Sequence, residues 1–301
     1  MQTRRRGFLK GIALAGVGLG TSTMGRSSAM EPVKRYPGTR MKTSIAGYSF
    51  REEFKADPPE MTLVGEFVDF AAEHGLDAIE PTAYYFPEPV TEEYLLELKR
   101  RSFLCGLDIS GTAIGNSYTH PPGVERDAQI EMTKAWIDRA ALLGAPSIRV
   151  FAGNIQKGGT EEEARKFCIE TLQQCLAYAA TKGVFLALEN HGGIVSTAEQ
   201  ILAIVEQVDH PWFGVNLDTG NFHSEDPYRE IERVAPYAVT VQLKVEMKPA
   251  GYKEKIPADF PRIVKILEQA GYRGYVAIEY EADADARTAI PEYIKELQKL
   301  V

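Results

Sequence analysis

The chain has 301 residues, with 34 Lys or Arg against 42 Asp or Glu and a net charge of −8 at pH 7. Residues 1–29 carry five Lys or Arg and no acid, so the remainder sets 29 basic residues against 42 acidic ones, a charge of −13. That balance argues against a nucleic-acid surface, and the length suits one large α/β domain.

The N-terminal stretch Arg5-Arg6-Gly7-Phe8-Leu9-Lys10 resembles the twin-arginine export signature. A Gly/Ala-rich segment follows from Gly11 to Gly20, and Ser27-Ser28-Ala29 offers small residues for cleavage after Ala29. Export to the periplasm through the twin-arginine machinery is the expectation; a basic tail or an uncleaved anchor is the alternative. The apolar run is too short and glycine-rich to span a bilayer comfortably. No later segment is longer, so no stable membrane insertion is expected after export. Residues 30–40 read as a linker, and residues 41–301 as the domain.

From Met41 the chain alternates short apolar runs with amphipathic segments. Strands are predicted at Thr43–Tyr48, Asp77–Glu80, Leu107–Ile114 and Ser147–Phe151, then at the runs beginning Val184, Phe213, Val239 and Tyr275. Helices are predicted over Met61–His74, Thr91–Phe103 and Glu125–Leu143, and from Thr160 to about Lys182. Further helices begin near Thr197, Pro227, Asp259 and Ala284. Eight strand–helix units favour a closed (β/α)8 TIM barrel over a doubly wound sheet, with a site at the C-terminal strand ends. No Gly-rich phosphate fingerprint supports a Rossmann reading. Cys168 and Cys175 sit seven apart in a helical stretch, ~10 Å along the axis, beyond disulfide reach. With Cys105 they are expected to act as small buried hydrophobes.

The last four strands end in polar residues: Glu189, Asp218, Gln242 and Glu279. Buried strands seldom end this way for packing alone, because each polar group needs a partner. Side by side in a barrel, these four would converge at one rim. Three carboxylates and an amide oxygen make a hard donor set suited to Mn²⁺ first, then Mg²⁺ or Co²⁺. An ion there can polarise the carbonyl of an α-hydroxy carbonyl compound and stabilise its enediolate, while flanking carboxylates move the proton.

The series Leu188-Glu189-Asn190-His191, Leu217-Asp218-Thr219-Gly220-Asn221, Val241-Gln242-Leu243-Lys244 and Ile278-Glu279-Tyr280 resembles the xylose isomerase-like TIM-barrel superfamily. More narrowly, it is similar to the sugar phosphate isomerase/epimerase group, with its tagatose 3-epimerases, hydroxypyruvate isomerases and inosose dehydratases. The resemblance implies that Glu189, Asp218, Gln242 and Glu279 ligate a divalent metal and that Glu189 and Glu279 are also the catalytic acid and base. Many epimerases of the group have His where this chain has Gln242; the hydroxypyruvate isomerase branch shares the Gln. Asn221 stands where Asp-x-x-His is common, with His223 the candidate to stand in.

Substrate-binding candidates surround this set. His191 and Lys244 each lie two positions beyond one of the four, on the same face of a strand: His191 for a site role or to stabilise its loop, Lys244 to bind a substrate oxygen, to tune a carboxylate or as a solvated loop lysine. Arg149 is a charge in an apolar strand, placed to bind substrate oxygens or to pair with Glu80 or another rim carboxylate. Glu80 is either a site carboxylate or part of a barrel-interior ion pair. His120 follows strand three, for substrate contact or loop packing. Tyr48, Tyr84 and Phe86 are candidate pocket walls. An isomerase or epimerase on a free carbohydrate or keto-acid is the first expectation. The second is a lyase on the same scaffold, such as β-elimination of a 3-keto-glycoside or inosose dehydration. A non-catalytic sugar-binding barrel would not need four converging ligands. A repair endonuclease of the superfamily would need a histidine-rich cluster, and the chain has five His in all. A homo-oligomer is left open.

Overall fold

The computed structural model describes residues 30–301, so the twin-arginine motif and its cleavage site lie outside the described residues. Among those described, no helix is long and apolar enough to cross a membrane.

Among the described residues, eleven strands and nine α-helices alternate. The barrel strands are β1 (Arg40–Ala46), β2 (Ala78–Glu80), β3 (Asp108–Ile109) with β4 (Thr112–Ala113), β5 (Ser147–Val150), β6 (Phe185–Glu189), β7 (Phe213–Asp218), β8 (Ala238–Lys244) and β11 (Arg273–Glu279). All neighbours pair in parallel, in the order β3-β2-β1-β11-β8-β7-β6-β5-β4. The third predicted strand is two short pieces: β3 pairs with β2 and β4 with β5, so the two ends of the order meet within one stretch of chain. Counting β3/β4 as one gives eight staves, a single (β/α)8 barrel.

The helices are α1 (Arg51–Lys55), α2 (Val68–Glu73), α3 (Glu92–Leu104), α4 (Val124–Leu143), α5 (Glu161–Lys182), α6 (Ala198–Val205), α7 (Pro227–Val234), α8 (Phe260–Gln269) and α9 (Ala286–Gln298). Their boundaries follow local chemistry. Thr160 with Glu163 and Thr197 with Gln200 close capping boxes at α5 and α6. Gly144 and Gly183 end α4 and α5 in left-handed conformation, which costs glycine no Cβ clash. The predicted helix from Met61 begins instead as a π turn at Leu63–Phe67, around the non-helical Gly65, and becomes α2 at Val68. Cys168 and Cys175 are buried thiols as expected, whereas Cys105 is exposed.

Two features position the site. The loop after β8 folds into a hairpin of β9 (Glu246–Met247) and β10 (Ile256–Pro257), pairing Met247 with Ile256 and Glu246 with Pro257. At Gly214, β7 and β8 come so close that a Cβ would lie 2.4 Å from Val239 Cγ1. Just beyond, the β7–β8 register shifts between Val215 and Asn216, and Asp218 ends up beside Gln242.

Candidate active site

Glu189, Asp218, Lys244 and Glu279 end their strands at the same barrel mouth, Gln242 lies two residues before the end of β8, and all five are nearly fully buried. Asp218 is fixed by the turn that follows it: the Gly220 and Asn221 amides donate to its Oδ1 at 2.8 and 3.1 Å. Asn190 clamps the same strand end, donating to the Asp218 carbonyl at 2.8 Å and accepting from its amide at 2.9 Å. No hydrogen bond reaches Asp218 Oδ2.

The cations of the site are its own. Lys244 Nζ stands 2.8 Å from Glu279 Oε2, 2.7 Å from Glu281 Oε2 and 3.5 Å from Asp218 Oδ2. Arg149 Nε is 3.0 Å from Glu189 Oε2, without the alignment of a hydrogen bond, and its Nη1 donates to the Ile114 carbonyl at 2.9 Å. Asn221 Nδ2 donates to the other Glu189 oxygen at 3.0 Å. Gln242 lies deeper: its Oε1 accepts from Asn216 Nδ2 at 2.7 Å, and its Nε2 donates to Glu80 Oε1 at 2.7 Å. Among the described residues, no three carboxylate, imidazole or thiol groups stand together as a preformed ion cage. The Lys244 ammonium lies among the carboxylates.

Burial and like charge shape the protonation of this set. Burial, reinforced by Glu279, pushes Asp218 up to about 7 against the pull of Lys244. Burial drives Glu189 well above the usual carboxylate range, although Arg149 opposes it. Glu279 is also penalised by burial, but Lys244, Arg149 and the facing Asp218 carboxyl outweigh that and hold it below its ordinary value. Glu80 rises to about 7, chiefly from burial. Burial lowers His191, with Arg149 and Lys244 adding to the effect. Burial works against the charge of Lys244, yet its acidic neighbours keep it well above its normal value. Environments that push neighbouring carboxyls apart are what acid–base pairs need.

A cavity of about 180 Å³ opens above the set, with Arg149, Glu189, Lys244, Glu279 and Glu281 at its base. Tyr48, Tyr84, Phe151 and His191 also line it, and the rings of Phe151 and His191 pack at a 38° tilt with their centres 4.2 Å apart. Arg149 lies 3.9 Å over the Phe151 ring. The third candidate wall residue, Phe86, packs instead against Trp136 and Tyr94 in the core. Glu80 sits beneath the mouth, under Gln242. His120 is half-buried in the loop after β4 and lines neither this cavity nor the neighbouring one. His223 bonds the Lys248 carbonyl at 3.0 Å and lines the neighbouring cavity rather than this one.

Sequence reasoning misses two contributors and the contact made by a third. Glu281 carries no signal beyond its spacing of two from Glu279. Asn216 has the same spacing from Asp218. Asn221 departs from the group's pattern, and its side-chain amide donates to Glu189.

Comparison with known proteins agrees with this architecture. A human protein named for hydroxypyruvate isomerase is 23% identical over 248 residues, covering 75% of this chain and 87% of its own. A 3-dehydroshikimate dehydratase from Bacillus anthracis is 24% identical over 204 residues, covering 65% and 69%. The crystal structure of a D-allulose 3-epimerase from Methylomonas sp. superposes with a TM-score of 0.69 at 16% identity, covering 89% of this chain and 100% of that one. The family model described as xylose isomerase-like TIM barrel matches residues 68–300. With the barrel closed through β3 and β4 and its acidic strand ends gathered at one mouth, the chain belongs to the xylose isomerase-like TIM barrel family.

Proposed function

We propose that this chain is an enzyme that moves a proton at the carbon beside a carbonyl in a hydroxylated substrate, a sugar or keto-acid, and so acts as an isomerase or epimerase. One observation carries this reading. Glu189 and Glu279 end β6 and β11, both open into one small cavity, and each is held by its own cation, Arg149 or Lys244. The names of the relatives support the class: an isomerase, an epimerase and a dehydratase share this fold.

We propose that Glu189, Asp218, Gln242 and Glu279 hold a divalent ion, Mn²⁺ first and Mg²⁺ or Co²⁺ as alternatives. The donor set fits by chemistry, with three buried carboxylates, an amide oxygen and the unbonded Asp218 Oδ2. Such an ion supplies a Lewis acid for the substrate carbonyl. The remaining work falls to the side chains. Glu279, the carboxylate held most readily ionised, takes the proton from carbon. Glu189, oriented by Arg149 and Asn221, returns one from the other side. Lys244 offers a donor to a substrate oxygen once it is released from the carboxylates. The aromatic wall shields one face of the reacting carbon from water.

A lyase reading is the second. There the electron pair left behind by the proton forms a carbon–carbon double bond as the β carbon–oxygen bond breaks, and the departing oxygen takes up a proton. The free volume beyond Glu279 and Glu281 favours it, since a leaving group needs room there.

The test follows the proton. Mn²⁺-loaded protein is incubated in D₂O with ketoses, hydroxypyruvate, inososes and 3-keto-glycosides, and products are read by NMR. Solvent deuterium should enter beside the carbonyl of the true substrate. Glu189→Gln and Glu279→Gln should each lower the rate about 10²–10⁴-fold with metal retained. Near-normal rates in both variants would remove the pair from the chemistry.

We also propose export in the folded state to the periplasm, on the support of Arg5-Arg6-Gly7-Phe8-Leu9-Lys10. The double change Arg5→Lys with Arg6→Lys should leave the protein in the cytoplasm; unchanged export would exclude the twin-arginine route.

A further inference from the structure

A second cavity, of about 230 Å³, lies against the first. Lys244, Glu279 and Glu281 line both, so these three side chains form the partition between them. We propose that the two cavities together take one bipartite substrate: a hydroxylated carbonyl unit in the first, joined to a second hydroxyl-rich unit, such as the other ring of a glycoside, in the second. This rests on the reading above for what fills the first cavity.

Size is the first argument. Pockets that enclose a drug-sized ligand, the size class of a two-ring glycoside, usually span about 300–1,000 Å³. At about 180 and 230 Å³, neither cavity reaches that range alone, while the two side by side do.

Construction is the second. The outer cavity is bounded by the hairpin β9–β10 and by the loop after β7, and the two are tied together. The Ala250 amide donates to the Ser224 carbonyl at 2.9 Å, and His223 Nδ1 bonds the Lys248 carbonyl at 3.0 Å. Lys255 Nζ donates to the Glu281 carbonyl at 3.2 Å, which joins the hairpin to the loop after β11. Gly220 allows the close approach: a Cβ there would lie 2.6 Å from Lys244 Cβ and 2.9 Å from the Glu246 carbonyl oxygen. The hairpin is thus anchored to two neighbouring loops.

Chemistry is the third. The first cavity presents aromatic faces, suited to the C–H faces of a sugar ring. The second presents Asn221, His223, Lys248 and Lys255 together with Glu246, so donors and acceptors of both signs face one space. A phosphate would call for cations without carboxylates, whereas hydroxyl groups both donate and accept and match the mixture. Glu279 faces both cavities, so the link between the two units of the substrate lies at the proposed base.

The experiment is calorimetric titration of the full, Mn²⁺-supplemented protein with unreactive probes: glucose, and glucosyl disaccharides of several linkages. At least one disaccharide should bind about tenfold more tightly than glucose. His223→Ala and Lys255→Ala should each bring that disaccharide down toward the affinity of glucose. Should either variant lose its cooperative melt, Lys248→Ala replaces it. A panel in which no disaccharide outbinds glucose overturns the proposal, as does an advantage that survives the variants. The titration needs no turnover, so a failure of the proton-transfer reading would show in the D₂O experiment and not here.

Discussion

Asp218 contributes one oxygen to its turn and leaves the other unbonded toward Lys244. A buried carboxylate in that position stays ionised only beside a cation, and burial has already pushed it up to about 7. The sign of the pH effect follows. Asp218 and Glu80 hold protons more tightly folded than unfolded, so the stability they lend the metal-free protein is complete below about pH 4 and is lost as pH rises through about 7. A metal ion needs the deprotonated form and competes with that proton. Mn²⁺ should therefore bind about tenfold more weakly at pH 6 than at pH 8 on account of Asp218 alone. Its addition should raise the thermal midpoint more at pH 8; an equal or smaller rise at pH 8 would contradict this account of Asp218.

At the scale of elements, β7 and β8 set the geometry of the mouth. Their contact at Gly214 leaves no space for a methyl group, because Val239 is β-branched and its Cγ1 and Cγ2 would lie 2.4 and 2.9 Å from a Cβ. Gly214→Val should destabilise the fold by about 1–3 kcal/mol through overpacking, read as a lower urea midpoint at unchanged slope. An unchanged midpoint would show that the strands can part freely. The alternation of apolar runs and helices made the barrel legible, and the polar ends of β6, β7, β8 and β11 marked its mouth. The division of the third strand was not legible, since Leu107–Ile114 reads as one run; Gly111 sits at the break, where a Cβ would meet Ser147 Oγ at 2.8 Å. The β9–β10 hairpin was missed because each of its strands is two residues long. Periodicity needs longer runs to show. That Lys244 could tune a carboxylate was legible from its spacing; which carboxylates it pairs with was not, since that depends on the ends of β7, β8 and β11 converging.

At the scale of the molecule, the barrel concentrates carboxylates at its mouth. A barrel of parallel strands collects side chains from distant parts of the sequence at one rim, and here four of the collected groups are carboxylates: Glu189, Asp218, Glu279 and Glu281. Two internal cations, Arg149 and Lys244, balance only part of that charge. The remaining negative charge is what a divalent ion would neutralise, and the proposed proton transfer depends on that ion being there. Counting bound Mn²⁺ per chain by equilibrium dialysis, with electron paramagnetic resonance as the readout, tests this most directly. Wild-type protein should hold one Mn²⁺ per chain, and Asp218→Ala should lose it while keeping the barrel's circular dichroism. A wild type that binds no Mn²⁺, Mg²⁺ or Co²⁺, or an Asp218→Ala variant that retains full occupancy, would contradict the account.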